Sequence, residues 1–319
     1  MYKKELIITL LNLNKIGRKT INKLINNFVL VSMDSQCILD FILGNLQKTK
    51  LNITIEDVII AKNKSLNIIE YCENNNIEII TILDNDFPAK LKIISDNPVI
   101  IFYKGNKSCI TQNKSVAIIG TRNPTLEGKI ITRRLTKFFS ENNYMIVSGL
   151  AHGIDYNAHI SAIRENNKTL AVLPSGISNI YPSDHKSLCD EILYNNGCIM
   201  SEYLPYETPY KNHFIERDRL QSALSLGVIV VECSINSGTM HTVNFAKEQN
   251  KLICCFKHKN MKEEFRSGNK KLLENKNTII IDNNYNLNLL NISLNEKLLE
   301  TNDLPDKKLL FNKQISFNI

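Results

Sequence analysis

Ser115-Val116-Ala117-Ile118-Ile119-Gly120-Thr121-Arg122 is the stretch that decides the fold. Its first five residues form a run that is typical of a parallel β-strand buried on both faces. The glycine ends the run, and Pro124 then fits the start of a helix. Over residues 126–143 apolar side chains recur at roughly helical spacing. The stretch therefore predicts a strand, a tight turn and a long amphipathic helix.

The same pattern follows at once along the chain. A second apolar run covers 144–148, and a second Gly-rich turn, Gly149-Leu-Ala-His-Gly-Ile-Asp155, precedes another predicted helix. Asp155 is expected to be the N-cap of that helix. Two strand–turn–helix units in succession predict a right-handed βαβ module. Ligands of such sheets bind beyond the carboxyl ends of the strands, so both turns fall at the predicted site.

Beyond this module, strands and helices continue to alternate, which predicts an α/β domain with a doubly wound, mostly parallel sheet over residues 76–285. The other predicted strands are Ile77–Leu83, Val99–Tyr103, Thr169–Leu173, Cys198–Ser201, Val228–Val231, Leu252–Phe256 and Thr278–Ile281.

The two ends of the chain differ from this domain. Residues 1–75 predict a small helical N-terminal domain, with helices over Lys4–Leu13, Lys19–Phe28, Ser35–Gly44 and Thr54–Asn75. The turn Asn14-Lys15-Ile16-Gly17-Arg18 fits a helix-hairpin-helix or SAM-like unit, but a plain packed helical domain explains it equally well. Residues 286–319 are polar and rich in asparagine, and they predict a loose C-terminal tail or a docking segment.

Composition limits the class of protein. The formal net charge of +7 permits a polyanionic partner without proving one. No apolar run is long enough for a membrane span.

None of the eight cysteines forms a C-x-x-C pair, which favours buried free thiols in a reducing cytoplasm. Cys254, Cys255 and His258 could supply three zinc ligands, but no fourth lies nearby in sequence. We therefore expect no metal and no cofactor.

Arg122 is the first candidate for chemistry. A guanidinium at a strand end, with free backbone amides expected around Ser148-Gly149 and Ser237-Gly238-Thr239, makes a pocket for a phosphate. The alternative is that Arg122 pairs with Glu202 or Glu232 at neighbouring strand ends. The chain has no G-x-G-x-x-G after the first strand and no G-x-x-x-x-G-K-[ST], which disfavours a nicotinamide dehydrogenase and excludes a P-loop ATPase.

Lys211-Asn-His-Phe214-Ile-Glu-Arg217-Asp-Arg219 is the second candidate. Cations flank an aromatic residue at a predicted loop-to-helix junction. That composition is typical of a platform for single-stranded nucleic acid, in which a ring stacks on a base and cations contact the backbone. Taken alone, Phe214 would more often be a core residue.

Taken together, these motifs resemble the DNA-processing protein A (DprA/Smf) family. The resemblance rests on Ser115–Arg122, Ser148–Asp155 with His159, Ala171–Gly176, Ile180–Pro182, Ser201-Glu202, Phe214-x-x-Arg217-x-Arg219 and Ser237-Gly-Thr239, which occur in the family's order. It implies an extended Rossmann-like fold, a cytoplasmic homodimer without catalytic activity, and binding of single-stranded DNA without sequence preference. It also implies loading of the RecA recombinase during natural transformation.

The resemblance and the motifs together select the candidate DNA-binding residues. They are Arg122, Ser148, Gly149, Gly153, Lys211, Phe214, Arg217, Arg219, Ser237, Gly238 and Thr239.

Two features of the sequence depart from the family pattern. Asp218 stands where the family usually has asparagine, and its carboxylate would weaken a phosphate contact by Arg217. After Asn283 the chain is also expected to be too short for the winged helix that some members of the family carry.

The alternative function is a nucleotide sensor or a phosphoribohydrolase-like enzyme on a related fold. Such hydrolases carry P-G-G-x-G-T-x-x-E, whereas this chain has Asn236-Ser-Gly-Thr-Met240.

Overall fold

The computed structural model describes residues 2–25, 40–44 and 52–302. The chain divides into two compact units. The first unit comprises Met1–Thr111 and Lys168–Leu220, and the second comprises Gln112–Asn167 and Gln221–Ile319. The described helices include none that is long and apolar enough to cross a membrane.

The first unit combines helices at the N-terminus with a small mixed sheet. Its elements are α1 (Tyr2–Leu11), α2 (Arg18–Ile25), α3 (Ile55–Asn74), β1 (Glu78–Thr81), α4 (Ala89–Lys92), β2 (Ile100–Gly105), α5 (Ser108–Thr111), β5 (Thr169–Val172), α8 (Lys186–Tyr194), β6 (Cys198–Ser201) and the start of α9 (Lys211–Ala223). The strand order is β1-β2-β6-β5. β2 is antiparallel to both β1 and β6, whereas β5 and β6 are parallel.

The second unit is an entirely parallel α/β arrangement. Its elements are β3 (Ser115–Ile119), α6 (Leu126–Glu141), β4 (Met145–Ser148), α7 (Ile154–Arg164), β7 (Gly227–Val230), α10 (Thr239–Glu248), β8 (Leu252–Phe256), α11 (Ser267–Leu273), β9 (Thr278–Ile281) and α12 (Asn284–Asn302). The strand order is β4-β3-β7-β8-β9. Each neighbouring pair is parallel, so the carboxyl ends of the five strands lie along one edge.

Local sequence explains why several elements begin where they do. Thr54 caps α3 through a capping box with Asp57, in which each side chain accepts a hydrogen bond from the other residue's backbone amide. Thr125 caps α6, and its hydroxyl accepts from the Gly128 amide. β3, β4 and β7 are buried at every residue. This burial agrees with their continuous apolar sequences.

The core of the second unit lies where helices cover this parallel sheet. β3 and β7 contribute Val116, Ile118 and Ile229, and α6 contributes Leu135 and Phe139. Phe139 packs edge-to-face against Tyr144, with ring centroids 5.7 Å apart. Burial of such side chains stabilises the folded state by about 25 cal/mol for each Å² of apolar surface removed from water. The sheet edge that carries the turns is therefore held by a well-packed interior.

The predicted α/β fold with a mostly parallel sheet is confirmed. The bounds of β3, β6, β8 and β9 match the predicted strands residue for residue. Most of the predicted helix over Ser35–Gly44 lies outside the described residues, although 40–44 are helical. The proposed division at residues 75 and 285 stays a prediction.

The expectation of a loose tail after residue 285 is wrong over its described part. Residues 284–302 form the helix α12, in which Leu290 and Leu294 are fully buried. Both side chains belong to the apolar core of the second unit. Of the two interpretations of this segment, docking is therefore the one that the structure supports. Residues 303–319 lie outside the described part of the chain.

Candidate functional site

Three turns at the carboxyl edge of the second unit carry most of the candidate residues. We call them the Arg122 turn (residues 120–125), the Gly149 turn (149–153) and the Ser237 turn (232–238); they follow β3, β4 and β7. β3 lies between β4 and β7 in the sheet, and all three strands run in parallel. The turns therefore lie side by side, as the sequence predicts.

The Arg122 turn presents an exposed guanidinium-bearing residue. Gly120 allows the turn to pass close to its neighbours, because a Cβ there would lie 2.6 Å from Ile154 Cγ1 and 2.8 Å from the Glu232 carbonyl oxygen. Glu232 and Glu202, the carboxylates considered as alternative partners of Arg122, are bonded to Arg266 and Arg219 respectively.

The Gly149 turn is closed by its own hydrogen bonds. The Gly149 amide donates to Asp155 Oδ2 at 3.1 Å, and the Ala151 amide donates to the same oxygen at 3.4 Å. Ser148 Oγ donates to the Ile118 carbonyl at 2.7 Å. The expectation of a free Gly149 amide is therefore wrong, because a buried carboxylate accepts its hydrogen. Asp155 is also not the N-cap, since it lies inside the first turn of α7.

Gly153 is the N-cap of α7 and has a φ of 79°. A Cβ at this position would collide with the backbone oxygens of Thr121 and Arg122. The next amide, that of Ile154, donates to the Thr121 carbonyl at 3.1 Å. Gly153 thus lets the Gly149 turn and the Arg122 turn pack backbone to backbone. Whether Ser148, Gly149 and Gly153 also contact DNA stays a prediction.

The Ser237 turn is the more open of the flanking turns. Gly238 is exposed, and a Cβ there would meet no atom within 4 Å. Gly238 is the N-cap of the ten-residue helix α10, which begins at Thr239 and has no side-chain cap. A helix N-terminus favours anions through its dipole and its first backbone amides, although two of these amides in α10 also donate to the Ser237 and Gly238 carbonyls, at 3.1 and 2.9 Å. The Ser237 amide and hydroxyl both donate to the Ser234 carbonyl, at 3.1 and 2.7 Å, so the expectation of a free amide is wrong at Ser237.

In the first unit, the start of α9 carries an exposed cation and a partly exposed ring. Lys211 is exposed at the first position of the helix, and Phe214 lies one turn later with intermediate exposure. The rings of Phe214 and Tyr181 are in edge-to-face contact, with centroids 5.3 Å apart. Tyr181 is itself 41% exposed. The structure therefore does not place Phe214 among the fully buried core residues, which was the alternative to the platform.

Arg217 and Arg219 are placed differently from Lys211, because both are buried. Arg217 Nε donates to Asp218 Oδ1 at 3.0 Å, and one terminal nitrogen donates to the Val172 carbonyl at 2.7 Å. The carboxylate that departs from the family pattern thus binds the neighbouring guanidinium. Arg219 forms a two-pronged ion pair with Glu202, at 2.5 and 2.6 Å. Both guanidinium groups are thus bonded inside the protein, and a contact of Arg217 or Arg219 with DNA stays a prediction.

Sequence reasoning missed a second arginine-centred network in the first unit. Arg18 forms hydrogen bonds to Asp96 at 2.6 and 2.9 Å and to Glu216 at 2.8 Å. Burial alone raises the pKa of Asp96, but the Arg18 hydrogen bonds and charge outweigh it, so the pKa lies below its usual value. No local pattern could have indicated this network, because its members lie 78 and 198 positions from Arg18.

The possible zinc ligands of the sequence are engaged in other contacts. His258 Nε2 lies 2.7 Å from the Val231 carbonyl oxygen. Burial raises the pKa of the Cys254 and Cys255 thiols well above the usual value, which favours their protonated form. Every cysteine among the described residues is a buried free thiol, as the sequence predicts.

The model of the DNA recombination-mediator protein A family matches residues 78–291, which include β1 to β9 and all eleven candidate residues. The chain belongs to this family. The matched residues contain the α/β alternation and the three turns at the strand ends. The N-terminal helices α1 to α3 lie outside the matched residues.

Individual members of the family are also similar to this chain. The DNA processing protein DprA of Bacillus subtilis is 38% identical over 177 residues, which are 56% of this chain and 59% of that protein. DprA of Streptococcus pneumoniae is 40% identical over 169 residues, which are 53% of this chain and 59% of that protein. The match thus spans less than two thirds of the length of these relatives.

Two solved DprA structures resemble this chain. The X-ray structure of the S. pneumoniae protein has a TM-score of 0.69 at 26% identity and covers 89% of this chain and 94% of that chain. The Helicobacter pylori structure, described for its single-stranded DNA binding mode, has a TM-score of 0.60 at 30% identity. It covers 67% of this chain and 95% of that chain.

Proposed function

We propose that this chain binds single-stranded DNA without sequence preference and passes the strand to a RecA recombinase in natural transformation and recombination. The observation that carries the proposal is the start of α9, where exposed Lys211 lies one turn before the partly exposed ring of Phe214. The DNA-binding description of the H. pylori relative supports the same ligand. We further propose that the protein acts as a homodimer in the cytoplasm.

The platform at α9 suits an unpaired base. Tyr181 contacts the Phe214 ring in an edge-to-face arrangement, and such aromatic pairs hold each other's orientation. A base that stacks on an aromatic side chain contributes about 1–3 kcal/mol, and every base has a face that can stack. Lys211 supplies a charge for the adjoining phosphate. This combination supports the proposal that binding does not depend on sequence.

The second unit offers its own phosphate contacts. Arg122 is exposed at the end of β3, and the Ser237 turn leads into the uncapped N-terminus of α10. Guanidinium groups and helix N-termini both bind phosphate oxygens. We propose that Arg122, Ser237, Gly238 and Thr239 contact the backbone of the strand.

We propose a binding protein rather than a hydrolase because the glutamates at the strand ends are occupied. Glu232 is fully buried and bonded to Arg266 and Thr125. Glu202 is 9% exposed and paired with Arg219. A general acid or base must reach the proton that it transfers. Neither carboxylate is placed to do so.

Titration of single-stranded oligonucleotides across a salt series tests this function. Phe214→Ala should weaken binding by about 1–3 kcal/mol and leave the salt slope unchanged, because it removes stacking only. Lys211→Ala should weaken binding and flatten the slope by about 0.7, because it removes one phosphate contact. Phe214→Leu, which keeps apolar volume without a ring, should lose affinity like the alanine variant while melting like the parent.

Helix α8 offers matched controls. Lys186 is the exposed first residue of α8, and Tyr194 at its end is 91% exposed. Lys186→Ala and Tyr194→Ala should leave both affinity and slope unchanged. Binding that hardly responds to salt, or a marked preference for duplex over single strands, would contradict the proposal.

A further inference from the structure

Glu232 forms several buried hydrogen bonds with residues of the Arg122 turn. It lies two residues after β7 and is fully buried. Its backbone carbonyl accepts from the Thr121 amide at 2.7 Å. Its carboxylate accepts from the Thr125 amide at 2.8 Å and from the Thr125 hydroxyl at 3.0 Å. We refer to these contacts as the Glu232 clamp.

The Glu232 clamp bonds to the Arg122 turn on both sides of Arg122. Thr121 and Thr125 flank the three residues 122–124, so one residue of the neighbouring Ser237 turn fixes the backbone on either side of Arg122. The Thr125 hydroxyl also accepts from the Gly128 amide at 3.0 Å, which links the clamp to the first turn of α6. The backbone that carries Arg122 is thereby anchored to β7 and to α6.

A buried cation pairs with the carboxylate of the clamp. Arg266 is 4% exposed, and its Nε lies 2.9 Å from Glu232 Oε1. Its terminal nitrogens bond the Asn260 carbonyl at 2.7 Å and Glu127 Oε2 at 2.6 Å. Burial alone raises the pKa of Glu127, but Arg266 and His258 outweigh it, so the pKa lies below its usual value. A buried carboxylate is costly without such a partner.

The fold also reserves space for the carboxylate. A Cβ at Gly128 would lie 2.6 Å from Glu232 Oε2. Any larger residue there would displace the carboxylate from Thr125. Gly128 lies inside a helix with a negative φ, a conformation in which alanine would be the better helix former. The backbone conformation therefore does not require glycine at this position, whereas the close approach of the Glu232 carboxylate does.

We propose that Glu232 is a positioning residue for DNA binding, which holds the Arg122 turn so that its guanidinium is already placed for a phosphate. This inference rests on the proposed function, because it assigns Arg122 a phosphate. Preorganisation of this kind raises affinity by reducing the ordering that binding must otherwise impose. The rival explanation is that the clamp serves folding stability alone.

Three variants separate the two explanations, measured by amide hydrogen exchange in the free protein and by oligonucleotide titration across salt. In Glu232→Gln, the side-chain amide replaces one acceptor oxygen, so the Thr125 amide, which donates to the carboxylate, should exchange about tenfold faster. The Thr121 amide donates to the backbone carbonyl of residue 232 and keeps its acceptor. Binding should weaken about tenfold and the salt slope should flatten by about 0.7, as in Arg122→Ala. The double variant should bind no more weakly than Arg122→Ala alone.

Ser115→Ala is the matched control at the opposite end of β3. Ser115 is fully buried and its hydroxyl donates to the Leu224 carbonyl at 2.6 Å. Its replacement should lower the melting temperature without changing affinity, slope or exchange of residues 121–125. If Glu232→Gln does not fold, Thr125→Val tests the same point with the Glu232–Arg266 pair intact, and its affinity and slope should fall in the same direction.

The outcomes distinguish the inference from the function on which it rests. If Arg122→Ala binds like the parent, the proposed phosphate contact fails, whatever the exchange data show. If Arg122→Ala weakens binding but the effect of Glu232→Gln is additive to it, or exchange over 121–125 is unchanged, positioning by Glu232 is overturned. Accelerated exchange together with a non-additive double variant establishes it.

Discussion

Three cations within nine residues of one another have different environments. Lys211 is exposed at the start of α9, whereas Arg217 and Arg219 are buried and bonded to carboxylates. The sequence pattern treats them alike, because it contains no information about which face of the helix meets a buried acid. Glu202, the partner of Arg219, lies 17 positions away. Exposure, which the sequence pattern does not show, therefore separates Lys211 from Arg217 and Arg219.

Arg219→Ala should act on stability rather than on DNA. Removing one member of a buried ion pair costs about 3–5 kcal/mol, because the other charge stays buried without a partner. Denaturant unfolding should show this loss, and Arg219→Lys should recover part of it by keeping the charge. The salt slope of DNA binding should match that of the parent. A flattened slope in a variant of undiminished stability would instead support the sequence-based assignment of Arg219 to a phosphate.

At the scale of elements, α12 shows how tertiary packing can make a helix from an unpromising sequence. Leu287, Leu290 and Leu294 are buried, whereas Leu289 and Ile292 are largely exposed. Apolar residues on several faces and many asparagines conceal the helical period. The asparagines form specific contacts in the folded state. Asn295 Oδ1 accepts from the Tyr144 hydroxyl at 3.0 Å, and an amide group of Asn291 donates to Asn142 at 3.0 Å.

Leu294→Ala should test whether α12 belongs to the folded core. A fully buried leucine replaced by alanine costs about 2–5 kcal/mol of unfolding free energy. Ile292→Ala, on the exposed side of the same helix, should cost much less. Urea unfolding of both variants provides the measurement. Equal and small effects would mean that the helix does not contribute to the cooperative core.

The parts of the fold that were predictable share a physical cause. β3, β6, β8 and β9 are short apolar runs between polar or glycine-containing turns, so their sequences define their ends. Placing the Gly-rich turns on one edge then requires only the rules for parallel sheets. The hydrogen bonds inside the site were not predictable in this way. Asp155 closes the Gly149 turn through amides four and six positions before it, in a loop conformation that the residue pattern does not specify. Arg266 pairs with Glu232 from 34 positions away, which depends on tertiary packing.

At the scale of the whole molecule, pH should reveal a buried lysine. Burial, reinforced by the charge of Lys297, lowers the pKa of Lys251 to about 8, and its Nζ donates to the Ala223 carbonyl at 3.1 Å. An unfolded lysine titrates near 10.4, so between about pH 8 and 10.4 the unfolded chain binds more protons than the folded one. Lys251 therefore makes the protein more stable as pH rises through this window.

Comparison with Lys251→Met isolates this effect. The difference in unfolding free energy, parent minus variant, should increase by up to about 3 kcal/mol from pH 8 to pH 10.4. The raw curve of the parent is not suitable alone, because buried thiols such as Cys189, with a pKa raised to about 12, oppose the trend by ionising only after unfolding. A difference that stays flat over this range would show that Lys251 titrates normally in the folded state.

The interleaving of the two units also constrains how the chain is made. The chain changes unit three times, after Thr111, Asn167 and Leu220. During synthesis from the N-terminus, β1 and β2 emerge from the ribosome long before β6, which is the second partner of β2. A two-stranded pair is only marginally stable alone, so the first unit remains unfinished until residue 220 has emerged. No single cut in the gene can therefore yield both units intact as separate products.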